Sequence, residues 1–176
     1  MNNPRNAYTF VIRKATEADC PGIVDVGVSS GERFELRDYQ LGEIPECLEV
    51  FIAEDHAGRL VGWLEGSFYR EVDAPQEHPP PHAYIEAVAV APCARRRGVA
   101  RCLIAEFVKA SISEGLTWIA LTPMHGDDEG IAPRVALFTA VGLRPVDPSD
   151  PREGMAGALS DVAAVLLEAS DSSLHR

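Results

Sequence analysis

The sequence predicts an α/β fold, in which a twisted mixed sheet of about six to seven strands carries helices on both faces. Strand-like and helix-like segments follow one another along the chain, with an antiparallel hairpin in the first half and a strand–helix–strand crossover in the second. The segment from Tyr84 to Ala91 is almost wholly apolar, which is typical of a central strand buried on both faces.

The first half of the chain is predicted to form a strand, a helix and a hairpin. The residue types of residues 8–15 favour a first strand. Thr16, followed three residues later by Asp19, resembles a capping box and predicts the start of a helix. Residues 50–53 and 60–69 have strand character on either side of a Gly-containing turn, and we expect them to form the hairpin.

The second half is predicted to alternate helices with strands. After Pro92 the apolar residues follow helical spacing from Ala100 to Ile112, and Gly115 is a natural end for that helix. We expect a shorter helix to begin at Pro133, because proline is favoured at the first helical position, and to end at Gly142. Further strands are predicted over residues 117–122, 143–146 and 162–168, and residues 170–176 are expected to form a frayed tail.

Length, charge and cysteine content limit the possible classes of protein. We expect residues 1–176 to form one domain. The formal net charge of −11 argues against nucleic-acid binding, which needs a basic surface; it fits either attraction of a cationic substrate or simple solubility. No segment approaches the ~20 consecutive apolar residues of a membrane span. The four cysteines include no Cys-x-x-Cys pair, which favours reduced thiols in a cytoplasmic protein.

One pair of histidines has the spacing of metal ligands on a helix. His78 and His82 are four residues apart. The three residues between them are prolines, which exclude a helix there. We therefore expect no metal site.

The segment from Val88 to Leu103 carries the strongest functional signal. A buried strand leads into a turn containing Gly98, and a helix follows. The first turn of a helix has unpaired N–H groups and a partial positive charge, and a glycine lets a ligand approach the backbone closely. The arginines around the turn can add charge-assisted bonds to phosphate. The pattern predicts a pyrophosphate site; the alternative is a basic, solvated helix start.

The hexapeptide from Arg95 to Ala100 resembles the Arg/Gln-x-x-Gly-x-Gly/Ala motif of the GNAT superfamily of N-acetyltransferases. The segments flanking it resemble that family too: Val88 to Pro92 before the motif, and Val135 to Leu143 after it. Ile12 to Asp19 resembles the family's opening strand and helix. The resemblance therefore extends over nearly the whole chain.

This resemblance implies transfer of an acetyl group from acetyl-CoA to a primary amine of a small molecule or protein. It implies that the backbone of Arg96 to Arg101 holds the CoA pyrophosphate. It also implies that the edge of Val88 to Val90 pairs with the pantetheine arm, where this strand and the strand of residues 117–122 splay apart. A homodimer would be in keeping with similar proteins. The implied CoA-binding residues are Val88, Ala89, Val90, Arg95, Arg96, Arg97, Gly98, Val99, Ala100, Arg101 and Phe138.

Glu86 is the candidate general base that would take a proton from the attacking amine. In a regular extended strand it shares a face with Val88 and Val90. A carboxylate in such an apolar strand is expected to have a raised pKa, which suits proton transfer. The alternative is a structural glutamate that pairs with an arginine or faces a polar cavity.

Phe138 marks a departure from the family. The resemblance places a catalytic tyrosine at this position, and phenylalanine has no proton to give to the departing thiolate. Water, His125, Tyr69 or Tyr84 could serve instead. The alternative function is a non-catalytic module that binds acyl-CoA. The candidate substrate-binding residues are Glu32, Phe34, Tyr69 and His125.

Overall fold

The computed structural model describes residues 10–31, 34–70, 81–123 and 130–174, with side chains to Glu168. The strands are β1 (Val11–Lys14), β2 (Glu49–Glu54), β3 (Leu60–Tyr69), β4 (His82–Val90), β5 (Trp118–Leu121), β6 (Arg144–Pro145) and β7 (Met155–Ala158). The helices are α1 (Cys20–Ser29), α2 (Arg37–Gln40), α3 (Val99–Ser113), α4 (Ile131–Ala140) and α5 (Leu159–Leu174).

The seven strands form one sheet in the order β1-β2-β3-β4-β5-β7-β6. Neighbouring strands are antiparallel except β4 and β5, which are parallel and are connected through α3. This arrangement confirms the predicted mixed sheet, since an antiparallel meander adjoins a strand–helix–strand crossover.

The predicted capping box at Thr16 and Asp19 is present, although it caps a short 3-10 turn (Glu17–Asp19) that leads directly into α1. The Asp19 carboxylate accepts a hydrogen bond from the backbone N–H of Thr16 at 2.8 Å. The same carboxylate binds Arg13 of β1 at 2.8 Å, and Arg13 also binds Glu54 of β2 at 2.8 Å. The cap therefore joins the start of α1 to the first two strands.

Two apolar cores cover opposite faces of the sheet. The α3-side core contains Phe107 of α3 together with residues of α4 and α5. The α1-side core contains Ile23 of α1 and Trp63 of β3. Gly66 of β3 brings α3 close to the sheet, because a Cβ built there would lie 2.5 Å from the Phe107 ring. Helices thus cover both faces, as the sequence predicts.

A β-bulge interrupts β4 at Glu86. Glu65 of β3 pairs with Ala87, and the next residue of β3, Gly66, pairs with Ile85. Glu86 is the extra residue of β4, and such a residue reverses the alternation of side chains between the two faces. Accordingly Ile85 packs in the α3-side core, whereas Ala87 packs against the α1-side core.

The end of the chain differs from the sequence-based expectation. The predicted strand over residues 162–168 is wrong, because these residues belong to α5. Leu159, Val162 and Leu166 are buried at helical spacing, and they pack in the α3-side core. The strand of this region is β7, which precedes the helix. Helix α4 begins two residues earlier than predicted, so Pro133 is its third residue.

In the described part of the chain, no helix is long and apolar enough to cross a membrane.

Candidate functional site

The parallel strands β4 and β5 pair over only four residues of each strand. The paired residues run from His82 to Ile85 on β4 and from Trp118 to Leu121 on β5. Beyond the bulge, Val88 to Val90 continue to pair with β3 on one side. Their other edge lies along a cleft, where the two parallel strands have separated.

The turn between β4 and α3 has two residues in the left-handed region. Arg96 has φ 60° and Gly98, at the N-cap of α3, has φ 87°. Left-handed residues in a turn direct successive backbone N–H groups toward one side, which forms a concave site for anions. A Cβ built on Gly98 would lie more than 4 Å from any residue other than its two chain neighbours, so the space above this glycine is open.

A cleft of about 520 Å³ lies beside this turn, between β4, α3 and α4; we call it the large cleft. Its volume is within the range of small-molecule sites. Ten of the eleven residues that the resemblance assigns to CoA line it, and Arg97 is the exception among the residues that the structure describes. Those ten are Val88, Ala89, Val90, Arg95, Arg96, Gly98, Val99, Ala100, Arg101 and Phe138.

Two of the cleft arginines have guanidinium groups engaged with backbone carbonyls. Arg95 donates to the carbonyl of Ser30 at 2.5 Å and to that of Val90 at 3.3 Å. Arg101 donates to the carbonyl of Val165 in α5 at 2.8 Å. Arg95 therefore holds the turn to the end of α1, and Arg101 holds α3 to α5. The positive charge of both side chains remains beside the large cleft.

Glu86 lies on the α1 side of the sheet. Its Oε1 accepts a hydrogen bond from Ser67 Oγ at 3.1 Å. Ser67 follows Glu65 by two residues on β3, so both point to the face where Glu65 meets Tyr39 of α2. The expectation that Glu86 shares a face with Val88 and Val90 is wrong, because the bulge separates them: both valines pack against the α3-side core.

Glu65 is a second carboxyl group on the same face of the sheet as Glu86, and it was not among the residues predicted from the sequence. It accepts a hydrogen bond from the Tyr39 hydroxyl. Burial, opposed in part by that hydrogen bond and assisted by the charge of Glu86, raises the pKa of Glu65 to about 7. Burial and the neighbouring Glu65 carboxylate also raise the pKa of Tyr39 well above its usual value. A glutamate that directly follows the apolar run from Val61 to Leu64 was the signal available in the sequence.

A smaller pocket adjoins the large cleft on the side of Glu86; we call it the small pocket. Phe34 lines it and packs edge-on against Trp63, with ring centroids 5.5 Å apart. Thr122 also lines it, and its hydroxyl lies 2.7 Å from that of Tyr84. The small pocket therefore combines one carboxylate with aromatic and hydroxyl groups.

The other residues predicted to bind the substrate are Tyr69, Glu32 and His125. Tyr69 stacks on His82 with ring centroids 5.0 Å apart, and it lines neither of the two cavities. Glu32 and His125 lie outside the described residues. Within the described ranges, no group of three or more His, Cys, Asp or Glu side chains could hold a metal ion.

Residues 12–131 match the model of the acetyltransferase (GNAT) family. The chain belongs to this family. Its enzyme class is therefore that of an acetyl-CoA-dependent N-acetyltransferase. No curated protein shows significant sequence similarity to this GNAT protein.

Solved structures of N-acetyltransferases share the fold. The ribosomal-protein-S18-alanine N-acetyltransferase of Escherichia coli superposes with a TM-score of 0.63 at 15% identity, covering 86% of this chain and 94% of that one. YhbS of Escherichia coli, in complex with CoA, gives 0.61 at 18% identity over 92% and 88%. The aminoglycoside 6'-N-acetyltransferase AAC(6')-Ih of Acinetobacter baumannii gives 0.61 at 20% identity over 79% and 93%.

Proposed function

We propose that this GNAT protein binds acetyl-CoA in the large cleft and transfers its acetyl group to a primary amine held in the small pocket. One observation carries the proposal: the two cavities meet beside Val88, and Glu86 lines only the small pocket. The open edge of Val88 to Val90 can pair with the amides of the pantetheine arm. The N–H groups of the turn and of the start of α3 can hold the pyrophosphate.

Glu86 is proposed as the base that removes a proton from the amine. An ammonium group has no lone pair, so attack on the thioester requires its deprotonation. The hydrogen bond from Ser67 fixes the orientation of the Glu86 carboxylate, which lines the small pocket. The nitrogen then bonds to the acetyl carbon as the C–S bond breaks.

Replacement of the base tests this assignment. E86Q is expected to lower kcat by about 100-fold or more, because a positioned base contributes that much to a proton transfer. Thiol release with a panel of primary amines measures the rate. The affinity for CoA, measured by calorimetry, should remain within about twofold of wild type. Wild-type kcat in E86Q would remove Glu86 from the mechanism.

The alternative is a module of the same fold that binds acyl-CoA without turnover. The absence of an acidic hydroxyl at Phe138 favours this candidate. The same thiol-release assay separates the two functions: turnover with any physiological primary amine excludes the binding module. Binding of acetyl-CoA without turnover across the panel would support it instead.

We propose a cationic amine as the acceptor. Glu65 and Glu86 place two carboxyl groups on one face, and the whole chain carries a formal net charge of −11. The names of similar enzymes include a protein and an aminoglycoside as acceptors, so the proposal covers amines of both kinds. Phe34 is proposed to contact the acceptor, as are Glu32, Tyr69 and His125.

We also propose a cytoplasmic location and a homodimer. Cys20, Cys47, Cys93 and Cys102 are free thiols, which supports a reducing compartment. The homodimer rests on the resemblance to the family. Light scattering of the purified chain measures the mass, and a monomer at micromolar concentration would contradict the dimer.

A further inference from the structure

The large cleft and the small pocket share three lining residues, Val88, Arg134 and Phe138. With the thioester in one cavity and the amine in the other, the reacting carbonyl must lie where the cavities meet. Val88 and Phe138 have no polar side-chain atoms. Among the described residues that line both cavities, Arg134 alone brings a charged side chain with N–H donors to the junction.

Arg134 is held at this junction by its place on α4. It precedes Phe138 by one helical turn, so the two side chains lie on the same helix face. Its side chain is half-buried. A Cβ built on Gly130 would lie 2.8 Å from Arg134 Nη2 and 3.1 Å from its Cζ, so the glycine leaves the space that the guanidinium occupies.

The other arginines of the large cleft are placed differently. Arg95 and Arg101 donate to the backbone carbonyls of Ser30 and Val165, and neither lines the small pocket. Arg96 lines the large cleft only, beside the turn. These three are placed for the phosphate groups, whereas Arg134 lies on the path from the donor to the acceptor.

We propose that Arg134 stabilises the thiolate that leaves acetyl-CoA, in place of the proton that Phe138 cannot supply. This inference rests on the proposed function. As the amine nitrogen bonds to the acetyl carbon, the C–S bond breaks and its electron pair stays on sulfur. A guanidinium does not release its proton at neutral pH, so it holds the sulfur as an anion through its charge and N–H groups.

The proton balance closes through solvent. The ammonium group gives one proton through Glu86 to water before attack, and the nitrogen gives a second proton as the amide forms. Water returns one proton to the sulfur after the acetyl group has moved. The sum is ammonium plus acetyl-CoA giving acetylated amine, CoA and one proton released to solvent. Arg134 therefore lowers the barrier by electrostatic stabilisation and not as an acid.

Titration of the CoA thiol bound to the protein tests the proposal without any acceptor. The ultraviolet absorbance of the thiolate is followed against pH for free CoA and for CoA bound to wild type, R134A and R134Q. An opposite charge close to a titrating group favours its charged form about tenfold or more. We therefore expect the thiolate-to-thiol ratio of CoA bound to wild type to be about tenfold or more above that of free CoA. In both variants the ratio should return to within about threefold of free CoA.

R144A is the matched control, since Arg144 is an exposed arginine on β6 that lines neither of these two cavities. It should keep the wild-type ratio. R134Q retains most of the side-chain volume, so it serves if R134A does not fold. An unchanged thiolate ratio in wild type, or a raised ratio that survives in R134Q, would overturn the proposal. Failure to bind CoA at all would overturn the proposed function as well, so the two failures are distinguishable.

A kinetic measurement separates this role from simple binding of CoA. With an amine that supports turnover, R134Q should lower kcat by about 100-fold, as loss of one transition-state donor does. KM for acetyl-CoA should stay within about threefold of wild type. A raised KM with unchanged kcat would show that Arg134 only binds the donor, and would overturn the thiolate role.

Discussion

At the scale of single residues, the carboxyl group of Glu65 is held in an environment that disfavours its charge. It is partly buried, it faces the Tyr39 hydroxyl, and Glu86 lies on the same face. Its pKa of about 7 means that this group can hold or release a proton near neutral pH. The charge of Glu86 contributes to the raised pKa, so Glu65 holds its proton more tightly while Glu86 is ionised.

The raised pKa of Glu65 predicts a pH dependence of stability. The unfolded chain loses this proton near the ordinary pKa of 4.5, and the folded chain keeps it to about 7. Stability therefore falls as the pH rises between these values, by about 3 kcal/mol, and the loss is complete above them. E65Q lacks this contribution, so its free energy of unfolding should fall less between pH 4.5 and pH 7.5.

Urea unfolding of both proteins at the two pH values measures the difference. E46Q is the control, because Glu46 is exposed and removal of its charge should leave the wild-type pH dependence nearly unchanged. Equal pH dependence in E65Q and wild type would show that Glu65 titrates normally in the folded state.

The residues of the central motif could be predicted from the sequence, whereas Glu65 and Arg134 could not. Gly98 and its neighbours stand in one short segment whose spacing carries its own signal. Glu65 and Arg134 come from β3 and α4, and nothing local to either residue indicates which distant side chains or cavities it meets. Their positions follow from contacts between segments far apart in the chain.

At the scale of elements, α3 has a left-handed glycine near each end. Gly98 has φ 87° and Gly115 has φ 77°, and a Cβ built on either would lie more than 4 Å from any residue other than its chain neighbours. An added side chain therefore meets the same kind of backbone strain at both sites and no steric clash. The difference is that Gly98 lines the large cleft.

G98A and G115A should consequently destabilise the protein to a similar extent, by about 1 kcal/mol each, because alanine disfavours the left-handed region. Only G98A should weaken binding of CoA, by about tenfold or more, since its Cβ enters the space proposed for the pyrophosphate. Thermal unfolding and calorimetric titration give the two quantities. Equal CoA affinity for the two variants would show that the phosphates do not lie over Gly98.

Element types were harder to predict where the apolar pattern is short. The apolar pattern from Val162 to Glu168 predicts a strand over seven residues, whereas α5 runs for sixteen. A short apolar run fits a buried strand as well as a helix segment, and length is what separates them. The stripe of Leu159, Val162 and Leu166 becomes apparent only when the helix is followed from its start.

At the scale of the whole molecule, the sheet separates two cores that do not depend on each other. Ile23 belongs to the α1-side core and Phe107 to the α3-side core, and both are fully buried. The strands lie between them, so a side chain on one face does not touch a side chain on the other.

I23V and F107L should therefore destabilise the protein additively. I23V is expected to cost about 1 kcal/mol. The double variant should match the sum of the single variants within about 0.5 kcal/mol. Chemical denaturation of the four proteins measures the cycle, and a coupling above about 1 kcal/mol would contradict independent cores.

The sequence by itself determined the family, the sheet with helices on both faces, and the strand–turn–helix unit from Val88 to Leu103. These features depend on short-range periodicity, glycine placement and a motif contained in one segment. The tertiary structure alone decided the face on which Glu86 lies, the pairing of Glu65 with Tyr39, and the place of Arg134 where the cavities meet. The physical reason is that one bulged residue reverses the faces of β4, and strand separation opens a cleft that only distant segments can line.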